Sequence, residues 1–400
     1  MMIMKLASRV SMIKPSPTLV ITAKAGALRA EGRDIIDFGA GEPDFNTPDH
    51  IKMAAIHAVE SNFTRYTPVG GIDELKDAII GKLKRDNYLS YRRSEIIVSC
   101  GAKHTLFNLA QALFDEGDEV IIPSPYWVSY PDIVLLTGAR PVIVETREEN
   151  GFKMTPAELE AAITENSKAV IINSPSNPTG CVYSKEELAA LAEVVLHHQL
   201  IVVSDDIYEK IIYDDFPFWN ITAVNPSLKD LTVVVNGISK AYAMTGWRIG
   251  YAAAPEFLIA AMAKIQSQST SNPSSISQKA AVEALTGDQQ IIAGMVAEFQ
   301  KRRDYVVSTL ESFDGISCLE PQGAFYVFPN VESLYGLRCG NKKILDSTTL
   351  AEYLLDEAEV AVVPGIAFGN DRHIRISYAT SMALIEKGLE RIRMALKRLS

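Results

Sequence analysis

Short, almost unbroken apolar runs recur through the first two-thirds of the chain, at residues 96–99, 119–122, 169–172, 200–204 and 231–235. Runs of four or five aliphatic and β-branched residues without polar alternation predict strands covered on both faces, as in parallel sheets flanked by helices. Between them the spacing turns helical, at residues 73–84, 105–114 and 185–197, the last opened by a capping box of Ser184 and Glu187. From about Thr47 to Gly287 this alternation predicts an α/β unit with a doubly wound, mostly parallel sheet. The final third reads differently. A long helix is expected over 288–312, strands over 324–328, 360–363 and 374–378, and a closing amphipathic helix over 382–399. That helix would carry Leu384, Ile385, Leu389, Ile392 and Leu396 on its apolar face. Residues 288–400 are therefore expected to form a smaller α+β domain beside a large domain at 47–287. A chain of 400 residues that is 47% apolar can bury more than one core, which agrees with that division.

Each strand of the large unit is followed by a residue with useful chemistry. Lys240 comes just past the run 231–235, among small residues and eight positions before Arg248. A lysine so placed suits a Schiff-base amine that binds an aldehyde, with the arginine holding an attached phosphate, because only a desolvated, partly neutral amine attacks a carbonyl. Gly101-Ala102-Lys103 joins a strand to a helix, and the unpaired amides there make an anion cradle. Asp205 ends a buried run and needs a cationic partner such as a protonated ring nitrogen; read alone, the segment is better taken as a turn cap by Asp205 or Asp206. Asn177 lies in the rigid turn Ser174-Pro175-Ser176-Asn177-Pro178-Thr179-Gly180, which would aim its amide at a ring oxygen. Tyr126-Trp127 offers an aromatic face for stacking on a planar ligand. Each segment taken singly is also an ordinary turn or core feature. Together they put five complementary groups at the carboxyl ends of parallel strands, where open α/β sheets bind ligands.

With these segments in place, the chain resembles the fold-type I, class-I pyridoxal-phosphate aminotransferases, and among them the bacterial-type aspartate and prephenate aminotransferases. The likeness runs from Lys14-Pro15-Ser16-Pro17-Thr18 through Gly41-Glu42-Pro43-Asp44-Phe45 and Arg65-Tyr66-Thr67-Pro68 to His373-Ile374-Arg375-Ile376-Ser377-Tyr378. The resemblance implies pyridoxal 5'-phosphate held on Lys240, paired through Asp205, and contacted at its ring hydroxyl by Asn177 and Tyr208. Gly101, Ala102, Lys103, Ser239 and Arg248 would surround its phosphate, Trp127 would stack on its ring, and Tyr66 would reach it from the neighbouring subunit of a homodimer. Arg375 would clamp the substrate α-carboxylate, with Gly41, Trp127 and Asn177 also at the substrate. Lys103, with Ser16 and Thr18, would read a second carboxylate, and Lys14 marks members that also accept prephenate. Residues 1–46 would form an arm and complete the smaller domain.

The implied activity is ping-pong transamination between L-aspartate and 2-oxoglutarate, with prephenate as an additional acceptor and aromatic amino acids or alanine as alternative donors. A lyase on the same fold and a regulator with an inherited aminotransferase domain are the rival classes. The regulator would carry an added DNA-binding segment, for which little room is expected before Lys14 or after Ser400.

Charge and cysteine usage narrow the picture. With 39 basic and 49 acidic residues the net charge is −10, which gives no broad basic field for nucleic acid. Cys100, Cys181, Cys318 and Cys339 are scattered without metal-type spacing, so free thiols and no metal site are expected. The six histidines form no ligand pattern, and His197-His198 fits a helix's last turn. Lys5, Arg9 and Lys14 precede the first acidic residue, Glu31, as in a transit peptide, but the family-like segment starts by Lys14. No apolar stretch approaches a membrane span, and a cytoplasmic location is expected.

Overall fold

The computed structural model describes residues 6–13 and 17–400; Lys14 and Ser16 lie outside the described residues, and Thr18 is described only as part of the helix Pro17–Ala30. Seven strands form the central sheet, in the order Ile96–Ser99, Gly250–Ala253, Thr232–Gly237, Ile201–Asp205, Ser167–Asn173, Glu119–Ser124, Arg140–Glu145. All run parallel except Gly250–Ala253, which is antiparallel to both its neighbours. The five runs expected from hydropathy are all strands here. The two additional strands lack such a run for different reasons. Arg140–Glu145 is an edge strand with a half-exposed pattern, and Gly250–Ala253 has only Tyr251 as a large residue beside a glycine and two alanines.

Burial explains why the runs are continuous. Ile97, Val120, Ile122, Ala169, Ile171, Val203, Val233 and Val235 face one layer, against helices Ala102–Leu113 and Glu256–Ser267. Their alternates divide between two clusters on the opposite side. Val98, Val234 and Tyr251 pack with helices Asp49–Glu60, Asp73–Asn87 and Ser275–Thr286, whereas Ile121, Val170 and Val202 pack with Lys185–His198. Period-two alternation is present, but both faces are apolar, so hydropathy cannot display it.

Ser184 Oγ accepts from the Glu187 amide at 3.2 Å and Glu187 returns the bond to the Ser184 amide at 2.7 Å, which sets the start of the helix Lys185–His198.

The chain's two ends meet over the sheet's carboxyl edge. Ile36–Asp37 pairs in parallel with Val360–Ala361, and Val363–Pro364, Ile374–Ser377 and Tyr326–Val327 form an antiparallel three-stranded sheet. The strand expected at 324–328 is shortened to Tyr326–Val327, and the one at 360–363 is split, because Val360–Ala361 pairs with Ile36–Asp37 and Val363–Pro364 with Ile374–Ser377. The long helix Gln290–Glu311 crosses between cores: Ile292 and Met295 pack with the helices beside the large sheet, and Phe299, Val306 and Leu310 with the smaller one.

In the last helix, Met382–Leu396, one expectation fails. Leu384 is 41% exposed, whereas Ile385, Gly388, Leu389, Ile392 and Ala395 are buried. The contact centres on Gly388, where an added Cβ would press into the Phe38 ring; this close approach turns Ile385 inward and leaves Leu384 at the rim.

Candidate active site

A pocket of about 420 Å³ opens at the carboxyl ends of the parallel strands. It gathers Ala102, Lys103, Trp127, Asn177, Asp205, Tyr208, Ser239, Lys240, Arg248, Gly41 and Arg375 from the residues singled out by sequence. Gly101 stands directly behind this lining. It begins the helix Ala102–Leu113 at φ 88°, and a Cβ there would collide with the Arg248 guanidinium, so only glycine lets the arginine lie over the helix N-terminus. Arg248 is held by Nη1 donating to the Thr245 carbonyl at 2.8 Å and Nη2 to the Cys100 carbonyl at 3.4 Å. The helix N-terminus and a guanidinium thus meet at one corner of the pocket that Ser239 also lines, an arrangement suited to an anion.

Lys240 follows the strand Thr232–Gly237 and donates from Nζ to the Gly41 carbonyl at 2.6 Å. Burial lowers its pKa to about 8; the charges of Arg375 and Arg248 push the same way, and Glu42 and Asp205 oppose them. The amine is therefore partly neutral near physiological pH. Asp205 is 4% exposed and closes the strand Ile201–Asp205. Burial raises its pKa to about 6, against the lowering effects of the Tyr130 hydroxyl, the Ile207 amide and the Lys240 charge.

The neighbouring carboxylates face elsewhere. Asp206 accepts from Ser204 Oγ at 2.7 Å and Asn220 Nδ2 at 2.6 Å, and Glu209 pairs with the buried Lys82 and accepts from Asn87 Nδ2 at 2.6 Å. This network anchors the 205–209 loop from behind and separates Asp205, which lines the pocket, from the turn-fixing Asp206.

Opposite the strand ends lies Arg375, 2% exposed. Nη1 donates to Asn177 Oδ1 at 3.0 Å and Nη2 to the Gly39 carbonyl at 2.7 Å, while Nε has no partner. Its guanidinium carbon sits 4.5 Å from the Tyr326 ring centroid and 5.1 Å from that of Phe368. No carboxylate pairs with it among the described residues. A buried cation left with neutral partners is costly unless an anion joins it. Lys103 Nζ lies 5.0 Å over the Trp127 ring, and its pKa is lowered by burial and by Arg248. Tyr208 and Tyr326 share a hydroxyl–hydroxyl bond of 2.9 Å.

One expected site residue, Tyr66, is not in this pocket but 91% exposed on the surface, and Lys14 lies outside the described residues. Tyr126 lines a separate small cavity with Cys181 and Tyr183 and not this pocket. Sequence reasoning missed Tyr130, Tyr326 and Glu42. Tyr130 had a usable signal, since it falls one helical turn after Trp127, but Tyr326 had none, sitting within an apolar run.

Fold and pocket together define an open α/β protein that holds a buried lysine amine in a pocket at the ends of its strands. The model of the family "Aminotransferase class I and II" matches residues 33–392, and the chain belongs to that family. It is 51% identical over 390 residues to an aspartate aminotransferase of Bacillus subtilis, covering 98% of each chain. It is 51% identical to an aspartate/prephenate aminotransferase of Nitrosomonas europaea, over 97% of this chain and 99% of that one. Among solved structures, an aspartate aminotransferase from Rhizobium meliloti superposes with a TM-score of 0.97 at 49% identity, covering 99% of this chain and all of the other. One from Thermus thermophilus with maleate gives 0.93 at 43%, covering 98% and 100%.

Proposed function

We propose that this protein is a pyridoxal 5'-phosphate-dependent aminotransferase that moves the amino group of L-aspartate to 2-oxoglutarate, with prephenate as a further acceptor. The observation that carries the reading is the joint presence, in one pocket, of the desolvated Lys240 amine, the buried Asp205 carboxylate and the Arg375 guanidinium, which no carboxylate pairs among the described residues. The residues present fit the cofactor. The corner under Arg248 that a Cβ on Gly101 would fill suits its phosphate, Trp127 offers a face for its ring, and Asn177, whose Oδ1 is taken by Arg375, has its amide nitrogen left for the ring hydroxyl beside Tyr208. When bound, the cofactor supplies an electron-poor ring that accepts the electron pair left at the substrate Cα.

The chain's own groups do the rest. Arg375 binds the α-carboxylate and so fixes the Cα–H bond toward Lys240. Lys240 Nζ, neutral in a useful fraction near pH 8, takes that proton and later returns it. Asp205 supplies the negative charge that keeps the ring nitrogen protonated. Lys103 is assigned to the second carboxylate of aspartate, and Lys14 to prephenate. The relatives' names, and maleate in the Thermus thermophilus structure, support a four-carbon dicarboxylate.

Tyr66, exposed in one subunit, belongs to the site of a second subunit in this reading, so the enzyme acts as a homodimer with shared sites. Residues 47–287 would be the cofactor-holding domain, and 288–400 with 1–46 the domain that reads the substrate. No helix of the described residues is long and apolar enough to cross a membrane, and the cytoplasm is the proposed location.

A panel of amino donors against 2-oxoglutarate and oxaloacetate, with prephenate as an alternative acceptor, tests the function. Aspartate and 2-oxoglutarate should yield glutamate and oxaloacetate at the highest kcat/KM. Ammonia or a cleaved side chain as product would replace transfer by elimination.

A further inference from the structure

Tyr130 lies on the short helix Ser129–Leu135, 3% exposed, its ring edge-to-face with Trp127 at 5.2 Å. Its hydroxyl donates to Asp205 Oδ2 at 2.6 Å. The other carboxylate oxygen accepts a longer bond, 3.3 Å, from the Ile207 amide. Among the described residues Tyr130 is the one side chain that hydrogen-bonds this carboxylate, because the nearby donors Ser204 and Asn220 are turned to Asp206. Asn173 holds the backbone of the same residue, its Nδ2 donating to the Asp205 carbonyl at 2.9 Å. Asp205 is thus fixed at its main chain by the sheet and at its carboxylate by a tyrosine.

We propose that Tyr130 is a positioning residue that decides where the proton shared by Asp205 and the cofactor's ring nitrogen resides. Donating to Oδ2, it makes the carboxylate a poorer base, so the proton stays on nitrogen and the ring stays electron-poor. This rests on the cofactor reading given above. The physical need follows from the burial of Asp205, which alone raises its affinity for a proton until it competes with a ring nitrogen. Tyr130 is suited to the task because burial and the Asp205 charge hold its own pKa well above the usual tyrosine value, so it remains a donor at every working pH. Its hydroxyl is also kept aimed by the packing of its ring against Trp127.

Three forms of the holoenzyme, loaded with cofactor labelled with 15N in the ring, test the assignment at one fixed pH: wild type, Tyr130→Phe, and protein carrying 3-fluorotyrosine in place of Tyr130. In wild type the nitrogen resonance should report a protonated ring. In Tyr130→Phe it should move toward the unprotonated position, and kcat should fall about 10-fold to 100-fold while the KM for aspartate changes far less. The fluorinated side chain, a stronger donor of the same shape, should hold the resonance at or beyond the wild-type value and keep kcat near normal. A Tyr130→Phe enzyme with an unmoved resonance overturns the proposal even if it is slow, since the tyrosine would then only fill space. A fluorotyrosine enzyme whose resonance moves toward the unprotonated position overturns it too, and this form alone decides the matter should Tyr130→Phe fail to fold. An unprotonated nitrogen in wild type refutes the role of Asp205 itself, and a wild-type chain that takes up no cofactor refutes the functional reading; either removes the ground for Tyr130 as well.

Discussion

The pocket has a floor and a roof of different origin. Ala102, Trp127, Asn177, Asp205 and Lys240 rise from the floor, each at or within a few residues of the carboxyl end of a parallel strand. Gly39, Gly41, Tyr326 and Arg375 make the roof, from segments near the two ends of the chain. Bonds between the two walls are long in sequence: Arg375 to Asn177 spans 198 residues, Lys240 to Gly41 spans 199, and within the roof Arg375 to Gly39 spans 336. The floor carries groups whose proton affinities burial has moved, Lys240 down and Asp205 up. The roof's main charge is a guanidinium that stays protonated and acts through the geometry of its fork. In the proposed reading the groups that move protons thus stand on the rigid sheet, and the fork for the α-carboxylate on the layer laid over it.

If that division holds, the largest effect comes from the floor. Lys240→Ala should lower turnover by at least about 10⁴-fold, since it removes both the amine that holds the cofactor and the base that moves the proton. Circular dichroism and thermal melting should show an intact fold, and the variant should still bind a dicarboxylate through the roof. Turnover within tenfold of wild type would take the chemistry away from the floor.

A smaller loss is expected from Arg375→Lys, which keeps the roof's charge but not its planar fork. The kcat/KM should fall by about 2 kcal/mol or more, roughly 30-fold, for every amino acid donor, with cofactor affinity unchanged. A loss confined to dicarboxylates would move α-carboxylate recognition to another residue.

The smallest effect is one of linkage. In the unfolded chain Lys240 titrates near its ordinary 10.5, and in the folded, cofactor-free protein near 8. Between those values the unfolded state binds more protons, so stability should rise with pH from about 8 to 10.5. Asp205 acts in the opposite sense. With its folded pKa raised from 3.8 to about 6, the folded state binds more protons in that interval, and stability should fall as pH rises through it. Denaturant unfolding of wild type against Lys240→Met should show the alkaline difference as about 1–2 kcal/mol, below what the whole shift implies because the pocket is open to water. A pH-independent difference for Lys240→Met would mean that the amine is not desolvated.

Much of the floor was legible in the sequence because a parallel sheet buried on both faces writes its strands as apolar runs, and the residue beyond each run must then stand at the ligand edge. Lys240, Asp205, Asn177, Trp127 and the Gly101 turn were all found that way. The strand Gly250–Ala253 was not, since a lone Tyr251 among glycine and alanine makes no aliphatic run; Gly250 serves a close approach, against the Ala102 backbone where no Cβ would fit. Arg375 was found only by resemblance to a family motif. Nothing local to residues 374–378 marks one residue of an apolar strand as a buried, half-satisfied cation.

Local patterning, then, was enough for the class of fold, the strand ends and the identity of the groups presented there, because strand formation and turn chemistry depend on neighbours in the chain. Which carboxylate of the pair Asp205 and Asp206 enters the pocket, that Tyr130 grips the first of them, that Arg375 has no counter-ion among the described residues, and that Leu384 rather than Ile385 meets water were decided by tertiary structure. Each depends on which groups are brought within bonding distance by segments far apart in the chain, and on how much water the packing then removes, and neither quantity is a property of a stretch of sequence.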